Sequence, residues 1–306
     1  MQERAGDPTL LKGGLSLCPE TAATDFATHL FMDVEGNVAN IRRMLGEPGD
    51  LVIRKFAAGR TGHACALICI DGLVDKDQIN TNILQNIQLG ISEAQVEVPS
   101  SGEAMLDTIA RQVLSAHEIK RLHTLDEATL AILSGDTVLF VDGTDRVLSI
   151  GTRGWASRGI EEPITEAVVR GPREGFTENI RTNTALIRRR IRDPNLRLDV
   201  YQVGRRSKKD LIVAYIEGII HPDIVREVNR RLKTIDMDDA PESGFIEQWI
   251  QDSFLSPFPT LMHTERPDKV STSLLQGKVA ILLDGTPFVL VAPVTFGQLL
   301  HSPEDY

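Results

Sequence analysis

The 306-residue sequence has only three cysteines, Cys18, Cys65 and Cys69. An odd and sparse set argues against a disulfide framework and favours a reducing compartment. Cys65 and Cys69 stand at even spacing in an apolar run, so both should point to one face of a strand. No His or Cys partner lies at zinc-ligand spacing. We therefore interpret both as small buried side chains and expect no metal and no cofactor.

Long apolar runs and an excess of positive charge are missing as well. The most apolar stretch, Val279 to Val294, contains Asp284, Gly285 and Pro287 and is shorter than the roughly 20 residues that span a bilayer. Residues 1–14 carry acidic residues and proline where a signal peptide has an apolar core. The formal net charge of -10 disfavours a nucleic-acid partner.

The common catalytic signatures are absent too. The sequence has no Gly-Lys-Ser/Thr phosphate loop, three-glycine dinucleotide fingerprint, nucleophile elbow or His-Glu-x-x-His zinc helix. Its 42% hydrophobic and 25% charged residues are typical of a soluble globular protein, and its length favours two domains. We expect a protein that is not an enzyme and has no catalytic residues.

The most informative feature that is present is an internal repeat. Three elements recur in the same order, which predicts two related modules that face each other. They are Ile70 to Asp77 with Ile216 to Asp223, His123-Thr124 with His263-Thr264, and Asp142-Gly143-Thr144 with Asp284-Gly285-Thr286. A glycine, Gly135 or Gly277, stands seven residues before each Asp-Gly pair.

The repeated elements indicate structural roles. Asp142-Gly143 and Asp284-Gly285 are typical of tight hairpin turns, which explains them better than a catalytic carboxylate pair. His123 and His263 are the best candidates for proton chemistry. The favoured interpretation is that each begins a strand-to-helix turn and that the following threonine is a helix N-cap.

The pattern of apolar and turn residues predicts the same order of elements twice. Each module should contain a hairpin, two helices, a strand, a helix and a second hairpin. In the first, these are strands over 51–58 and 64–74, helices over 75–89, 103–117 and 125–133, and a hairpin over 138–141 and 146–150. In the second, they are strands over 198–203 and 211–219, helices over 222–235, 245–250 and 268–275, a strand over 260–264, and a hairpin over 279–283 and 288–291.

This organisation gives a two-lobed α/β protein in which each lobe has a mixed sheet, hairpins and flanking helices. The predicted divisions are an N-terminal segment over 1–50 with a short helix over 33–45, a first lobe over 51–154, an arginine-rich helical connector over 155–196, a second lobe over 197–294, and a tail over 295–306. Within the connector, Thr177 to Ile191 has the apolar spacing of a helix.

The connector is the segment most open to a functional interpretation. Arginine presents a planar fork that suits carboxylate or phosphate, so its arginines could gather an anion between the lobes. Alternatively, they pair with the interleaved glutamates and tie the lobes together. The candidate ligand or interface residues are Arg170, Arg173, Glu174, Arg188, Arg189 and Arg190.

Several long motifs carry a family resemblance. They are the runs Val169 to Glu178, Thr182-Asn183 and Leu186 to Ile191, together with Glu265 to Lys269, Asp284 to Phe288 and Ser302 to Tyr306. In this order they resemble the GerA family of bacterial spore germination proteins, specifically the A subunit, over most of residues 25–306.

The resemblance implies the soluble N-terminal region of a larger membrane protein in a nutrient germinant receptor. In that family the Glu-Asp-Tyr segment leads into transmembrane helices, so the tail should lead towards the membrane. The implied location is the spore inner membrane, with this region facing the spore core or cytoplasm. The implied partners are the B and C subunits and further A subunits in a homo-oligomer, with a small-molecule germinant as a further candidate.

Two functional hypotheses follow. In the first, the region helps to assemble the receptor and transmits the nutrient signal to the membrane part, through a change in the angle between the lobes. In the second, it is a binding module that holds a nutrient or another small anion between the two lobes.

Overall fold

The computed structural model describes residues 29–59, 61–90, 101–154, 172, 174–251 and 259–295. We call described residues 29–154 the first lobe and 174–295 the second lobe. Each contains a five-stranded sheet. The predicted two-lobed α/β architecture is confirmed. The sheets are antiparallel in every described pairing, whereas we had predicted mixed sheets.

The first lobe alternates hairpins with helices. Its elements are α1 (Val34–Leu45), β1 (Leu51–Ala57), β2 (Ala64–Ile70), α2 (Lys76–Gln78), α3 (Gly102–Thr108), β3 (Ile119–Leu122), α4 (Leu125–Leu133), β4 (Thr137–Val141) and β5 (Val147–Ile150). Two helices depart from the predicted α form, because α2 continues as a π-helix over Ile79–Gly90 and α3 over Ile109–Val113. Buried residues spaced four apart, such as Ile79, Ile83 and Ile87, suit either winding, so apolar spacing alone did not distinguish them.

The second lobe repeats this plan. Its elements are α5 (Ile180–Arg190), β6 (Leu196–Val203), β7 (Lys209–Ile216), α6 (Pro222–Leu232), α7 (Ser243–Ile250), β8 (Met262–Thr264), α8 (Pro267–Leu275), β9 (Val279–Leu283) and β10 (Val289–Ala292). The sheet orders are β1-β2-β4-β5-β3 in the first lobe and β6-β7-β9-β10-β8 in the second, which is the same order of corresponding strands. The predicted duplication is therefore present in the fold.

The duplication extends to a helix that we had placed in the connector. Asn37 Nδ2 in α1 donates to the Phe31 carbonyl at 2.6 Å, and Asn183 Nδ2 in α5 donates to the Thr177 carbonyl at 2.6 Å. Each asparagine also accepts a hydrogen bond from the same residue: Asn37 Oδ1 accepts from the Phe31 N–H, and Asn183 Oδ1 accepts from the Thr177 N–H. Helix α5 is therefore the counterpart of α1, whereas we had predicted it as part of the connector, outside both lobes.

Each sheet is covered by helices on both faces. In the first lobe, α1 and α4 pack on one face of the sheet, while α2 and α3 with their π-helical extensions pack on the other. In the second lobe, α5 and α8 pack on one face and α6 and α7 on the other. Strand β2, which lies between β1 and β4, is buried on both sides, since Ile68 and Ile70 face α1 whereas Cys65 and Cys69 face α3. The predicted shared face of the two cysteines is confirmed.

The Asp-Gly pairs form the predicted hairpin turns and also position helices. Gly143 and Gly285 have φ of +82° and +90°, which favours glycine. Asp142 Oδ1 accepts from the backbone N–H at the start of α1 at 3.4 Å, and Asp284 Oδ1 accepts from the start of α5 at 3.2 Å. The turn role is confirmed, and each aspartate also binds the positive end of a helix.

The His-Thr pairs differ from each other. Thr124 is the N-cap of α4 and accepts from the Glu127 N–H at 3.2 Å, as predicted. Thr264 ends β8 and is not an N-cap, because α8 begins at Pro267; its hydroxyl accepts from the Arg266 N–H instead. The N-cap prediction was therefore right for the first copy and wrong for the second.

Helices long and apolar enough to cross a membrane do not occur in the part of the chain that the structure describes.

Candidate functional site

The two lobes meet where the loop before β1 contacts helix α5 and strand β6. We call this contact the seam and define it by Gly49, Asp50 and Gly72 of the first lobe and by α5 and β6 of the second. Helix α5 belongs to both cores, because Leu186 and Ile187 pack under the second sheet while Ala185 packs with the first-lobe core. Asn179 starts this helix by accepting from two backbone N–H groups.

A buried ion pair lies at the centre of the seam. Arg188 Nε donates to Asp50 Oδ2 at 2.9 Å, and Nη2 donates to Oδ1 at 3.1 Å. The side chains of Arg188 and Asp50 are 0% and 1% exposed. This bidentate geometry is the strongest form of an arginine-carboxylate contact, and burial makes each partner dependent on the other. Arg188 Nη1 has no hydrogen-bond partner among the described residues.

Backbone contacts extend the seam on either side of this pair. Gly49 N–H donates to the Leu198 carbonyl at 3.4 Å, and Arg181 Nη1 donates to the Gly49 carbonyl at 3.1 Å. Arg197 Nη1 reaches the Met44 carbonyl at 3.3 Å. Because these contacts join β6 and α5 to the loop that leaves α1, a change in the angle between the lobes has to break several of them.

Glycine is required at one of the close contacts between the lobes. Gly72 has φ of +86°, and a Cβ placed there would lie 3.1 Å from both the Ala185 Cβ and the Arg181 carbonyl oxygen. In the second lobe Gly218 has φ of +84°, but its added Cβ would meet no described atom within 4 Å. The backbone conformation thus demands glycine at both positions, whereas lobe contact constrains only Gly72.

The structure places four of the six candidate residues, and it separates them into two groups. Arg188 is held by Asp50 in the seam. Arg189 Nη2 and Arg190 Nη2 each donate to Glu174, at 3.2 and 3.1 Å. The remaining candidates, Arg170 and Arg173, lie outside the described residues.

A polar cleft of about 310 Å³ opens beside the seam. The first lobe lines it with acidic and basic groups that include Asp71, Asp75 and Lys76, and Lys76 Nζ lies 2.7 Å from Asp71 Oδ1. Helix α5 lines the other side with Arg181 and Arg189. The cleft can therefore offer both donors and carboxylate acceptors to a small polar molecule.

The clearest pKa shifts lie away from the Asp50–Arg188 pair. Burial raises the pKa of Cys65 to about 12 and that of Cys69 to about 11. On the second sheet, burial raises the pKa of Asp199, while the Tyr215 hydroxyl, which donates to its carboxylate at 3.1 Å, acts in the opposite direction. Within the described ranges, no group of three or more His, Cys, Asp or Glu side chains is placed to hold a metal ion.

Sequence reasoning missed Asp50 and Gly72 as seam residues. Asp50 stood at the edge of the predicted N-terminal segment, and one aspartate before a strand carries no local signal of a buried partner 138 positions away. Gly72 belongs to the repeated Asp-Gly or Glu-Gly motif, which indicated a turn. That motif is shared with Gly218, so it did not distinguish the copy in the seam.

This duplicated α/β architecture is that of a receptor N-terminal domain of known structure. The chain is similar to the crystal structure of the N-terminal domain of the A subunit of the Bacillus megaterium spore germinant receptor GerK3. The sequence identity is 33% and the TM-score is 0.68, and the match covers 88% of this chain and 98% of that one.

Sequence comparison defines the family. Residues 39–306 match the family described as Bacillus/Clostridium GerA spore germination protein, and the chain belongs to that family. It is 42% identical to spore germination protein GerLA of Bacillus cereus over 279 residues, which are 90% of this chain and 55% of the relative. It is 39% identical to spore germination protein B1 of Bacillus subtilis (strain 168) over 274 residues, again 90% and 55%. The chain thus spans about half the length of these curated relatives.

Proposed function

We propose that the chain is the N-terminal region of a germinant-receptor A subunit and acts in nutrient-triggered spore germination. The match to nearly the whole of the GerK3 A-subunit N-terminal domain supports this proposal. Its role is receptor assembly and transmission of the signal to a membrane part, without catalysis of its own. It works with B and C subunits and further A subunits at the spore inner membrane, on the side of the spore core.

The observation that carries this mechanical role is the buried Asp50–Arg188 pair. A fully desolvated ion pair holds its two partners in one geometry, because separating them leaves a buried charge without a counter-charge. The two lobes therefore move together as one rigid body for as long as the pair is intact. A ligand or partner subunit transmits a signal through this region by moving both lobes, or by breaking the seam if it binds the opened state more tightly.

Arginines of the predicted connector add further ion pairs beside the seam. We propose that Arg189 and Arg190 hold Glu174, and with it the chain that precedes α5, against the seam. We also propose that Arg170 and Arg173 act at the same interface or in subunit contacts. The Glu174 pairs are partly exposed, so each contributes less than the buried pair at Arg188.

Germination of spores that carry variants of the full-length receptor tests the proposal. We expect Asp50→Ala to impair nutrient-triggered germination, because it leaves the Arg188 charge buried alone. The double variant Asp50→Ala with Arg188→Met should recover receptor abundance and part of the response, since it removes both charges. Glu35→Ala, which breaks an exposed ion pair with Lys55, is the matched control and should germinate normally.

Receptor abundance in the spore membrane has to be measured beside germination. Normal germination of Asp50→Ala spores at normal abundance would contradict a mechanical role for the seam. A second variant, Arg189→Ala, should reduce germination less than Asp50→Ala, because it removes only a partly exposed contact with Glu174.

The cleft beside the seam supports a second candidate function, the binding of a nutrient or a small anion. Arg181 and Lys76 supply positive charge there, and the volume of about 310 Å³ suits a small molecule. Titration of the chain with amino acids, sugars and inorganic anions, followed by heteronuclear NMR, tests it. Shifts confined to the cleft that disappear in Arg181→Ala, but not in the control Arg54→Ala on β1, would support binding. The absence of chemical-shift changes with all of these compounds would contradict ligand binding in the cleft.

A further inference from the structure

A cavity of about 330 Å³ lies within the second lobe, away from the seam. It opens between the first turns of α6, the end of α7, and the chain that precedes β8 and follows β10. Helices α6 and α7 pack on the sheet face opposite α5, so this cavity is separate from the cleft beside the seam. Its apolar lining consists of Ile224, Val228, Ile250, Leu261, Ala292 and Pro293.

The corresponding place in the first lobe is polar. Asp75 and His221 are the N-caps of α2 and α6, so Gln78 corresponds to Ile224. Gln78 Nε2 donates to the Gly151 carbonyl at 3.4 Å and links α2 to the chain that leaves β5. The second lobe has an apolar isoleucine in place of this polar link. The two copies of the fold therefore differ at the cavity, and only the second surrounds it with apolar side chains.

The charged residues of the lining already have partners. Glu227 accepts from Arg230 at 2.7 Å and from Arg231 at 2.6 Å. Asp223 accepts from Arg226. A charged ligand would compete with these ion pairs, and it would also place its charge against an apolar wall, which is unfavourable. The lining thus favours a neutral molecule.

Thr260 contributes a polar group that lacks a partner. It corresponds to Glu118 in the first lobe, because its carbonyl accepts from the Val294 N–H as the Glu118 carbonyl accepts from the Gly151 N–H. Thr260 Oγ1 is buried and has no hydrogen-bond partner in the part of the chain that the structure describes. A buried hydroxyl without a partner is unfavourable, so a molecule that bonds to it gains binding free energy. Because Thr260 lines the cavity, rotation about χ1 can turn this hydroxyl towards a bound molecule.

We propose that this cavity binds a small neutral molecule that has an apolar body and one hydroxyl or carbonyl group. The apolar wall receives the body, and the Thr260 hydroxyl forms a hydrogen bond with the polar group. An apolar cavity of about 150 Å³ is large enough for benzene. A cavity of about 330 Å³ therefore accommodates a substituted ring. A molecule bound there contacts α6 and α7 and leaves the seam and its cleft free, so its binding is independent of the receptor role proposed above.

Methyl NMR of the 306-residue chain, labelled at isoleucine, leucine and valine, tests this site with four probes that share one ring. Benzyl alcohol should give saturable shifts at the methyl groups of Ile224, Val228 and Leu261. Toluene lacks the hydroxyl and should bind roughly two- to tenfold more weakly, which is the range for one hydrogen bond. Benzoate and benzylamine carry a charge and should bind more weakly than benzyl alcohol.

Three variants connect the binding to the cavity. Thr260→Val keeps the shape of the side chain but removes the hydroxyl, so it should lower the affinity for benzyl alcohol to that for toluene and leave toluene binding unchanged. Thr272→Val is the matched control, because it removes an exposed hydroxyl on α8, and it should change neither affinity. Arg181→Ala, in the cleft beside the seam, should also leave both unchanged.

A larger side chain in the wall gives an independent test. Val228→Phe should fill part of the cavity and abolish the shifts at Ile224 and Leu261, with circular dichroism confirming that the variant is folded. Benzyl alcohol that leaves these methyl groups unshifted, toluene that binds as tightly as benzyl alcohol, or a Thr260→Val variant with unchanged affinity for benzyl alcohol would overturn the proposal.

Discussion

Removal of the Asp50 carboxylate should destabilise the whole chain far more than removal of an exposed carboxylate. In Asp50→Ala, Arg188 loses both of its described hydrogen bonds and remains 0% exposed without a counter-charge. Breaking a buried pair by removing one partner costs about 3–5 kcal/mol. The matched variant Glu35→Ala breaks the Lys55–Glu35 pair, whose side chains are 47% and 66% exposed, and should cost less than about 1 kcal/mol.

Urea denaturation followed by circular dichroism measures both free energies of unfolding. The double variant Asp50→Ala with Arg188→Met should recover most of the loss, because an apolar side chain of similar length no longer buries a charge. The result that would refute this reasoning is an Asp50→Ala variant no less stable than Glu35→Ala. A double variant less stable than Asp50→Ala would contradict the assignment of the loss to an unpaired charge.

Three further predictions concern the seam, the repeat and the cysteines. Gly72→Ala should destabilise the chain more than Gly218→Ala in the same denaturation assay, since both require positive φ but only Gly72 contacts the other lobe; equal losses would count against a close seam. Asn183→Ala should cost on the order of 2–3 kcal/mol, because it removes two hydrogen bonds to the Thr177 backbone and leaves those groups without partners. Cys65 and Cys69 should react with a thiol reagent at pH 8 only as fast as the chain unfolds, because they are buried and their pKa values of about 12 and 11 keep both thiols protonated. The free energy of unfolding should fall as pH rises above about 9, because there the two thiols ionise in the unfolded chain but not in the folded one. Rapid labelling of the folded chain would contradict that burial.

The elements of each lobe could be predicted because their signals are local. Apolar spacing, Asp-Gly turns and helix starts depend on residues close together in the chain, and the observed bounds in the second lobe fall within about three residues of the prediction. The predicted pairing of connector arginines with glutamates has described examples at Arg189 and Arg190, which contact Glu174. The functional assignment of those residues stays a proposal.

The counterpart relation of α1 and α5 was missed because we read the second copy as part of the charged connector. The sequence does carry a signal of it: Asn, Ala, Ile, Arg and Arg stand at the same spacing in both helices, at Asn37, Ala39, Ile41, Arg42 and Arg43 and again at Asn183, Ala185, Ile187, Arg188 and Arg189. Only the folded chain shows that both asparagines make the same hydrogen bond to a backbone carbonyl six residues earlier. The same residue type has different surroundings in the two copies: Arg42 is exposed, whereas Arg188 at the corresponding position is buried against Asp50.

The duplication, the two-lobed α/β class and the resemblance to the GerA family could be read from the sequence, since these depend on residue patterns that recur or persist along the chain. Which arginine pairs with which carboxylate is known only from the folded chain. Asp50 and Arg188 are separated by 138 positions, and their pairing depends on how one lobe lies against the other. Contacts between lobes are set by the shapes of two assembled surfaces, and no local pattern encodes those shapes.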